Sequence, residues 1–304
     1  MPIDTVKVTI NGTTVSAIKG SGDTYTATLA APNVTSYNVN SGHYYPVTVV
    51  ATNTAGTSTT VNDTDSKLGS ALRLIVKELT PPTISISSPT SGQYFGSATP
   101  TFKFNITDQA NGSGVNLTSL QVTVDSTTYN NTSSGVSITT ITNGYSVSLT
   151  PSALDDGSHT FKVVVSDNDG NQATSSTVNF TTDTIAPTLN VTNPANNSYV
   201  SESNLNVTGT TSDSTSGVPT IAITLNGLDQ GSVTVSDGSF SKAVTLSNGS
   251  NTIVVTATDL AGKVTTVTRT VILDTSAPVI ASVSIVPNPV NIGENYTVTI
   301  SVTG

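Results

Sequence analysis

Aspartate is the residue type in this chain whose placement could support chemistry. Asp108, Asp167 and Asp169 stand in loops, and Asp183 follows them in an outgoing junction. Asp213, Asp259 and Asp274 repeat that arrangement further along. Hard cations take several oxygen ligands from carboxylates and carbonyls, and a junction between domains can gather them. The pattern points to calcium held at the junctions, where an ion would stiffen a rod. Aspartate is also an ordinary turn residue, and no segment has the spacing of an EF-hand loop. The turn reading therefore stays open beside the metal one.

Other chemistry finds little support. The histidines are His43, in a loop entering a strand, and His159, at a strand start. Nothing in the sequence suggests that a nucleophile and an orienting acid are set beside either of them. Asp155-Asp156 precede a glycine, which is a turn composition rather than an acid/base pair. The expectation is a protein that is not an enzyme. Sugar binding would call for aromatic platforms, but Trp is absent. The aromatic pairs Tyr44-Tyr45 and Tyr94-Phe95 are the first candidates for a glycan contact, and one member of each could equally be core.

Composition narrows the class. A net charge of −9, from 10 Lys+Arg against 19 Asp+Glu, disfavours nucleic acid, whose phosphates need clustered cations. No apolar run is long enough for a transmembrane helix, so no membrane insertion is expected. Met1–Val6 lacks a basic stretch leading into an apolar core, so no signal peptide is expected there. Cys is absent, which excludes disulfides and thiolate sites. Thr, Val, Asn and Gly suit strands and turns, and no run has helical period. The class is all-β.

The elements that position the aspartates follow a repeat. Asp183-Thr184-Ile185-Ala186-Pro187 recurs as Asp274-Thr275-Ser276-Ala277-Pro278, and more loosely as Leu79-Thr80-Pro81-Pro82. The spacing is roughly 100 residues, a repeat of whole domains rather than a solenoid. The boundaries read as 1–80, 81–184, 185–275 and 276–304. In the second segment, strands are expected at Thr83–Ser87, Thr101–Thr107, Leu120–Val124, Val136–Ile141, Tyr145–Leu149, Phe161–Val165 and Gln172–Phe180. A hairpin turn is expected at Asn143-Gly144. The third segment repeats the order, with a polar loop over Ser212–Val218. Short alternating strands at this spacing indicate tandem two-sheet antiparallel sandwiches of immunoglobulin-like type, as beads on a string.

The two ends differ from the middle. Thr5–Gly12 lines up with Thr220–Gly227, mid-domain, and Tyr25–Leu29 with Phe240–Leu246. The first domain thus lacks its first two strands, while the last segment supplies only such strands, Ser282–Val286 and Tyr296–Val302. An unfinished sandwich invites pairing in trans. Val283, Ile285, Tyr296, Val298 and Ile300 of one copy would then meet the region of Val6, Val8 and Ile10 of another. Alternatively, the ends are cuts, or the first domain is a small complete sandwich closed by Leu72–Val76.

Leu154–Val163 followed by Ser166–Asn171, the segment Ala257–Gly262, and the Asp-Thr-x-Ala-Pro junctions resemble bacterial immunoglobulin-like repeats. Thr9–Thr13, Ser41–Val49, Asp63–Leu74 and Pro287–Val290 resemble immunoglobulin-like tail or baseplate proteins of phages infecting Gram-positive bacteria. This second resemblance implies a virion tail component made in the host cytoplasm. Its partners would be copies of itself, other structural virion proteins, or a glycan or protein on the host surface. The alternative is a fragment of a secreted cell-surface adhesin or S-layer-like stalk, bacterial or archaeal.

Overall fold

The computed structural model describes residues 1–217 and 219–304. Val218, the last residue of the expected Ser212–Val218 loop, lies outside the described residues. The chain divides into two compact units, Met1–Thr182 and Asp183–Gly304. Among the described residues, no helix is long and apolar enough to cross a membrane.

The first unit opens with a single sheet. Strands β1 (Ile3–Ile10) and β2 (Thr13–Ser16) meet at Asn11-Gly12, with φ of 48° and 77°. That left-handed pair matches the twist of a two-residue hairpin. Strand β3 (Ile18–Lys19) pairs with β4 (Tyr25–Thr26). Strand β5 (Tyr45–Asn53) pairs with β1, with β6 (Ser58–Val61) and with β7 (Arg73–Leu74), giving a path β2-β1-β5-β6. Val6, Val8 and Ile10 stand opposite Ala51, Val49 and Val47. Over Lys7–Ile10 the β1 backbone is paired on both sides, so what β1 leaves open is a side-chain face rather than an edge. That face is only half-buried, and Tyr45 is the one buried hydrophobic residue described in this part.

A full sandwich follows in the same unit. Its strands are β8 (Thr83–Ser88), β9 (Gln93–Phe95), β10 (Phe102–Thr107), β11 (Val115–Val124), β12 (Thr127–Tyr129), β13 (Val136–Ile141), β14 (Gly144–Leu149), β15 (Gly157–Asp167), β16 (Gln172–Thr174) and β17 (Val178–Thr182). One sheet runs β13-β14-β10-β8; the other runs β12-β11-β15-β17-β9, with β16 also on β15. Alternation buries Phe102, Phe104 and Ile106 from β10 against Phe161, Val163 and Val165 from β15. The expected turn at Asn143-Gly144 sits one residue earlier, since Ile141 pairs with Gly144. Gly144 is needed for close approach instead: a Cβ there would lie 2.0 Å from the Ile106 carbonyl oxygen. The expected strand Gln172–Phe180 is broken at Ser175, whose hydroxyl accepts from Val163 N–H at 3.0 Å.

The second unit repeats the design with β18 (Thr188–Asn193), β19 (Ser198–Val200), β20 (Asn204–Ser212), β21 (Thr220–Leu225), β22 (Leu228–Asp229), β23 (Val235–Ser236), β24 (Ser239–Thr245), β25 (Gly249–Thr258) and β26 (Val264–Leu273). The sheets run β18-β20-β24-β23 and β19-β26-β25-β21-β22 around a core of Val207, Ile223, Phe240, Ile253 and Val255. In both sandwiches a short strand, β9 or β19, crosses to the second sheet and pairs in parallel with the last strand. A hairpin of β27 (Val279–Val286) and β28 (Thr297–Thr303) ends the unit.

Candidate metal centres

Strand polarity decides which acids meet. The start of β8 lies beside the end of β10, with Thr83 opposite Thr107, and Asp108 follows directly. The start of β11 lies beside the end of β15, with Val115 opposite Asp167. The incoming junction, the β10 end and the β15 end therefore share one pole. Glu78, Asp108 and Asp167 each bring a carboxylate oxygen there, all within 4.8 Å of one another. The next sandwich does the same through the pairs Thr188–Ser212 and Thr220–Thr258. There Asp183, Asp213 and Asp259 bring oxygens within 4.8 Å of one another.

This corrects the grouping expected from sequence. Asp183 stands with Asp213 and Asp259, not with Asp108 and Asp167. Strand β17 is antiparallel to β15, with Thr182 opposite Gly157, so the outgoing junction leaves from the far pole. Asp274 follows β26 in the same way, is exposed, and joins neither group. Its carboxylate accepts from Ser276 N–H at 2.9 Å, and bonds from Ser276 hold its pKa below the ordinary value. Glu78 was missed because the loose junction copy was read from Leu79. Its signal is positional: it stands four residues before Pro82, as Asp183 does before Pro187.

The two groups differ in how their oxygens are satisfied. Around Asp108 all six carboxylate oxygens accept hydrogen bonds. Asp108 takes N–H bonds from Gln109 and Gly114 at 2.8 and 2.6 Å. Asp167 takes the backbone and side-chain amides of Asn171 at 2.8 and 2.7 Å. Glu78 accepts from Gln109 Nε2 at 2.5 Å and from Ser113 N–H. Burial pushes the Asp108 carboxyl up, the two N–H bonds oppose this, and the charges of Glu78 and Asp167 add to the rise. Asp169 is not part of the group and acts as a tether. Its carboxylate accepts from Thr35 Oγ1 at 2.5 Å and Glu78 N–H at 3.1 Å, and its carbonyl from Lys77 Nζ at 3.1 Å.

Around Asp259 the supply of donors is thinner. Asp183 Oδ1 accepts from Ile185 N–H and Asp259 Oδ1 from Lys263 N–H. Their Oδ2 atoms are buried and have no hydrogen-bond partner. Asp213 Oδ1 accepts from Thr215 N–H, Ser216 N–H and Ser216 Oγ. Burial works to raise the Asp213 pKa, but these bonds and a contact with Asp183 hold it below the ordinary value. At Asp259 the difference traces to one position in the matching turns: Asn171 gives Asp167 a side-chain amide, and Lys263 stands in its place; at Asp183 nothing among the described residues matches the donors that Gln109 and Ser113 give Glu78.

The remaining candidates separate cleanly. Tyr45 is buried with its hydroxyl donating to the Val34 carbonyl, and Phe95 packs edge-on to Phe102 and Phe180. Both are core residues, so neither forms a glycan platform. Tyr44 is half-buried, bonds Asp63 at 2.9 Å and lies under Arg73, while Tyr94 is half-buried on β9. His159 does have an orienting acid, against the expectation: Asp125 lies 2.8 Å from Nδ1. Its Nε2 faces Thr182 Oγ1 and the Asp155 carbonyl, and Thr182 is fully buried with its hydroxyl donating to that same carbonyl. The trio ties β15 to β17, with no access for a substrate at the hydroxyl.

Residues 88–184 match the bacterial Ig-like domain family, and residues 187–275 match domain B of glucodextranase. No curated protein matches the chain. Among solved structures, the fibronectin(III)-like modules of Clostridium thermocellum CbhA are 21% identical, covering 63% of this chain and 94% of theirs at a TM-score of 0.42. Titin domains A168–A170 are 13% identical, covering 88% and 85% at 0.41. A Bacteroides ovatus glucan-utilisation protein, SGBP-B, solved with a mixed-linkage heptasaccharide, is 16% identical, covering 95% and 65% at 0.23. These scores are low, so the assignment rests on the sheets and the matched segments. The sheet orders and the matched segments together give the chain immunoglobulin-like β-sandwiches in tandem.

Proposed function

We propose that the protein is a non-enzymatic structural and interaction component that assembles head to tail, the last hairpin of one copy closing the open first sheet of another. The observation that carries this reading is the β27–β28 hairpin. Its register pairs Ile280 with Val302, Val283 with Ile300 and Ile285 with Val298 on one face. Ser282–Ser301 and Ser284–Thr299 lie on the other. The six apolar side chains are 44–64% exposed, as is Tyr296. An isolated two-stranded hairpin is marginal in water and needs its apolar face covered.

A second copy is the occupant we favour, because the sheet over residues 3–61 leaves a half-buried apolar face that such a hairpin would cover. In the sandwich of the second unit β24 pairs along β20, which pairs with β18. The counterpart of β24 is Tyr25–Leu29, which has strand pairing only at Tyr25–Thr26, with β3. Beside it an open pocket of about 420 Å³ has a mixed lining, with Ile10, Val15, Leu29 and Pro32 beside Asn11 and Thr28. A head-to-tail contact of this kind builds rings or filaments.

The resemblance of the chain ends to phage proteins supports a place in a virion tail, with other virion proteins or a host-surface glycan or protein as further partners. An adhesin or stalk on a cell surface would use the same architecture. The match of 187–275 to a glucodextranase domain favours a second reading, an accessory module beside a carbohydrate-active enzyme. Deleting residues 279–304 and measuring mass by light scattering tests the assembly. The full chain is expected to form oligomers and the shortened one to be monomeric. An unchanged monomer in both would sink the proposal.

A further inference from the structure

We propose that Asp183, Asp213 and Asp259 bind a hard divalent cation of the calcium type, and that Glu78, Asp108 and Asp167 do not. The inference is independent of the assembly reading, since it concerns one sandwich alone. Three carboxylates meet within 4.8 Å. Oxygens about 2.4 Å from a shared calcium ion stand at most about 4.8 Å apart. Asp183 is 0% and Asp259 6% exposed, and each has a buried Oδ2 with no partner. A buried carboxylate oxygen without a donor is costly, and a cation removes that cost. No side-chain cation fills this role: the one ion pair found among the described residues is His159–Asp125. Asp213 is half-buried, which leaves a route for an ion to enter.

The donor set is all oxygen, without His or Cys, which selects a hard ion over zinc or copper. The ligands come from a junction, a strand end and a turn. A bound ion would therefore fix the incoming chain, β20 and β25 to one another. The equivalent group is a built-in comparison. There Gln109, Ser113, Gly114 and Asn171 donate to every carboxylate oxygen. A cation at that pole would have to displace protein donors already in place.

Calcium chloride titration by calorimetry, with thermal melts of the full chain in EDTA and in calcium, tests this. One ion per chain is expected, and the second unit should melt about 5 °C higher in about 5 mM calcium. Asp259→Asn should abolish both effects, and Asp213→Asn, at a half-exposed position, should weaken binding at least tenfold. Asp108→Asn should leave the stoichiometry at one. In EDTA, Asp259→Asn should melt no lower than the unsubstituted chain, because it removes repulsion that no ion offsets. Absence of binding, binding lost in Asp108→Asn, or an undiminished calcium shift in Asp259→Asn would each overturn the assignment. A rise in melting temperature on acidification with no calcium effect would overturn it too.

Discussion

Ile300→Asp is the sharpest probe of the apolar hairpin face. Ile300 is 55% exposed and pairs with Val283, itself 56% exposed. Fully burying such a side chain stabilises by about 1.5–3 kcal/mol, so covering the exposed half of Ile300 contributes about 1 kcal/mol. The six paired residues together supply about 6 kcal/mol on the same basis. That lies within the range of about 4–15 kcal/mol that association costs, so main-chain bonds along β28 must supply the surplus. An aspartate at 300 removes its share and buries a carboxylate among five apolar neighbours, a penalty of several kcal/mol. The combined loss weakens association by at least about 100-fold. Thr299→Asp lies on the polar face opposite Ser284 and is expected to change association by less than about threefold, since exposed surface changes are worth little. Sedimentation over a concentration series reads both. Equal effects of the two substitutions, or none from Ile300→Asp, would show that this face does not meet a second copy.

Two further outcomes follow from the sandwich of the first unit. Phe102 is 0% exposed, with Phe161 and Phe180 ring centroids at 5.0 Å. Phe102→Ala should destabilise that sandwich by about 4 kcal/mol, with the lost ring contacts included; denaturant unfolding showing less than about 2 kcal/mol would contradict the packing described. At Asp125, burial works to raise the pKa, but bonds from His159 and Thr160 outweigh it and hold the carboxyl below its ordinary value. A depressed folded pKa contributes stability above the unfolded carboxylate range, lost as pH falls through the folded value. Asp125→Asn should therefore flatten the acid limb of a stability–pH curve. The side chain is 42% exposed, so the change should stay below about 1 kcal/mol.

Much of the fold could be read from residue alternation, because a strand buries every second side chain and leaves that period in the chain. Phe102, Phe104 and Ile106 announce β10 in this way. Strands β9 and β19 leave no such period in the sequence. Each is three residues long, and what defines it is parallel pairing with a distant last strand. Asn143-Gly144 carries a turn signal in its own sequence, whereas the close approach of Gly144 to Ile106 depends on a strand far off in the chain.

The candidate site divides along the same line. Sequence alone identified aspartates in the right loops, since their neighbours are turn formers and the loops recur with the repeat. It also identified the amphipathic last strands. Which acids share a site was decided by tertiary structure. Antiparallel pairing sends the last strand of each sandwich to the pole away from its β10 or β20 end, so each junction acid serves the sandwich it enters. Only the folded chain shows that one trio is saturated by hydrogen bonds and the other holds two unpartnered oxygens. That contrast depends on donors brought in by separate loops, and local sequence does not record it.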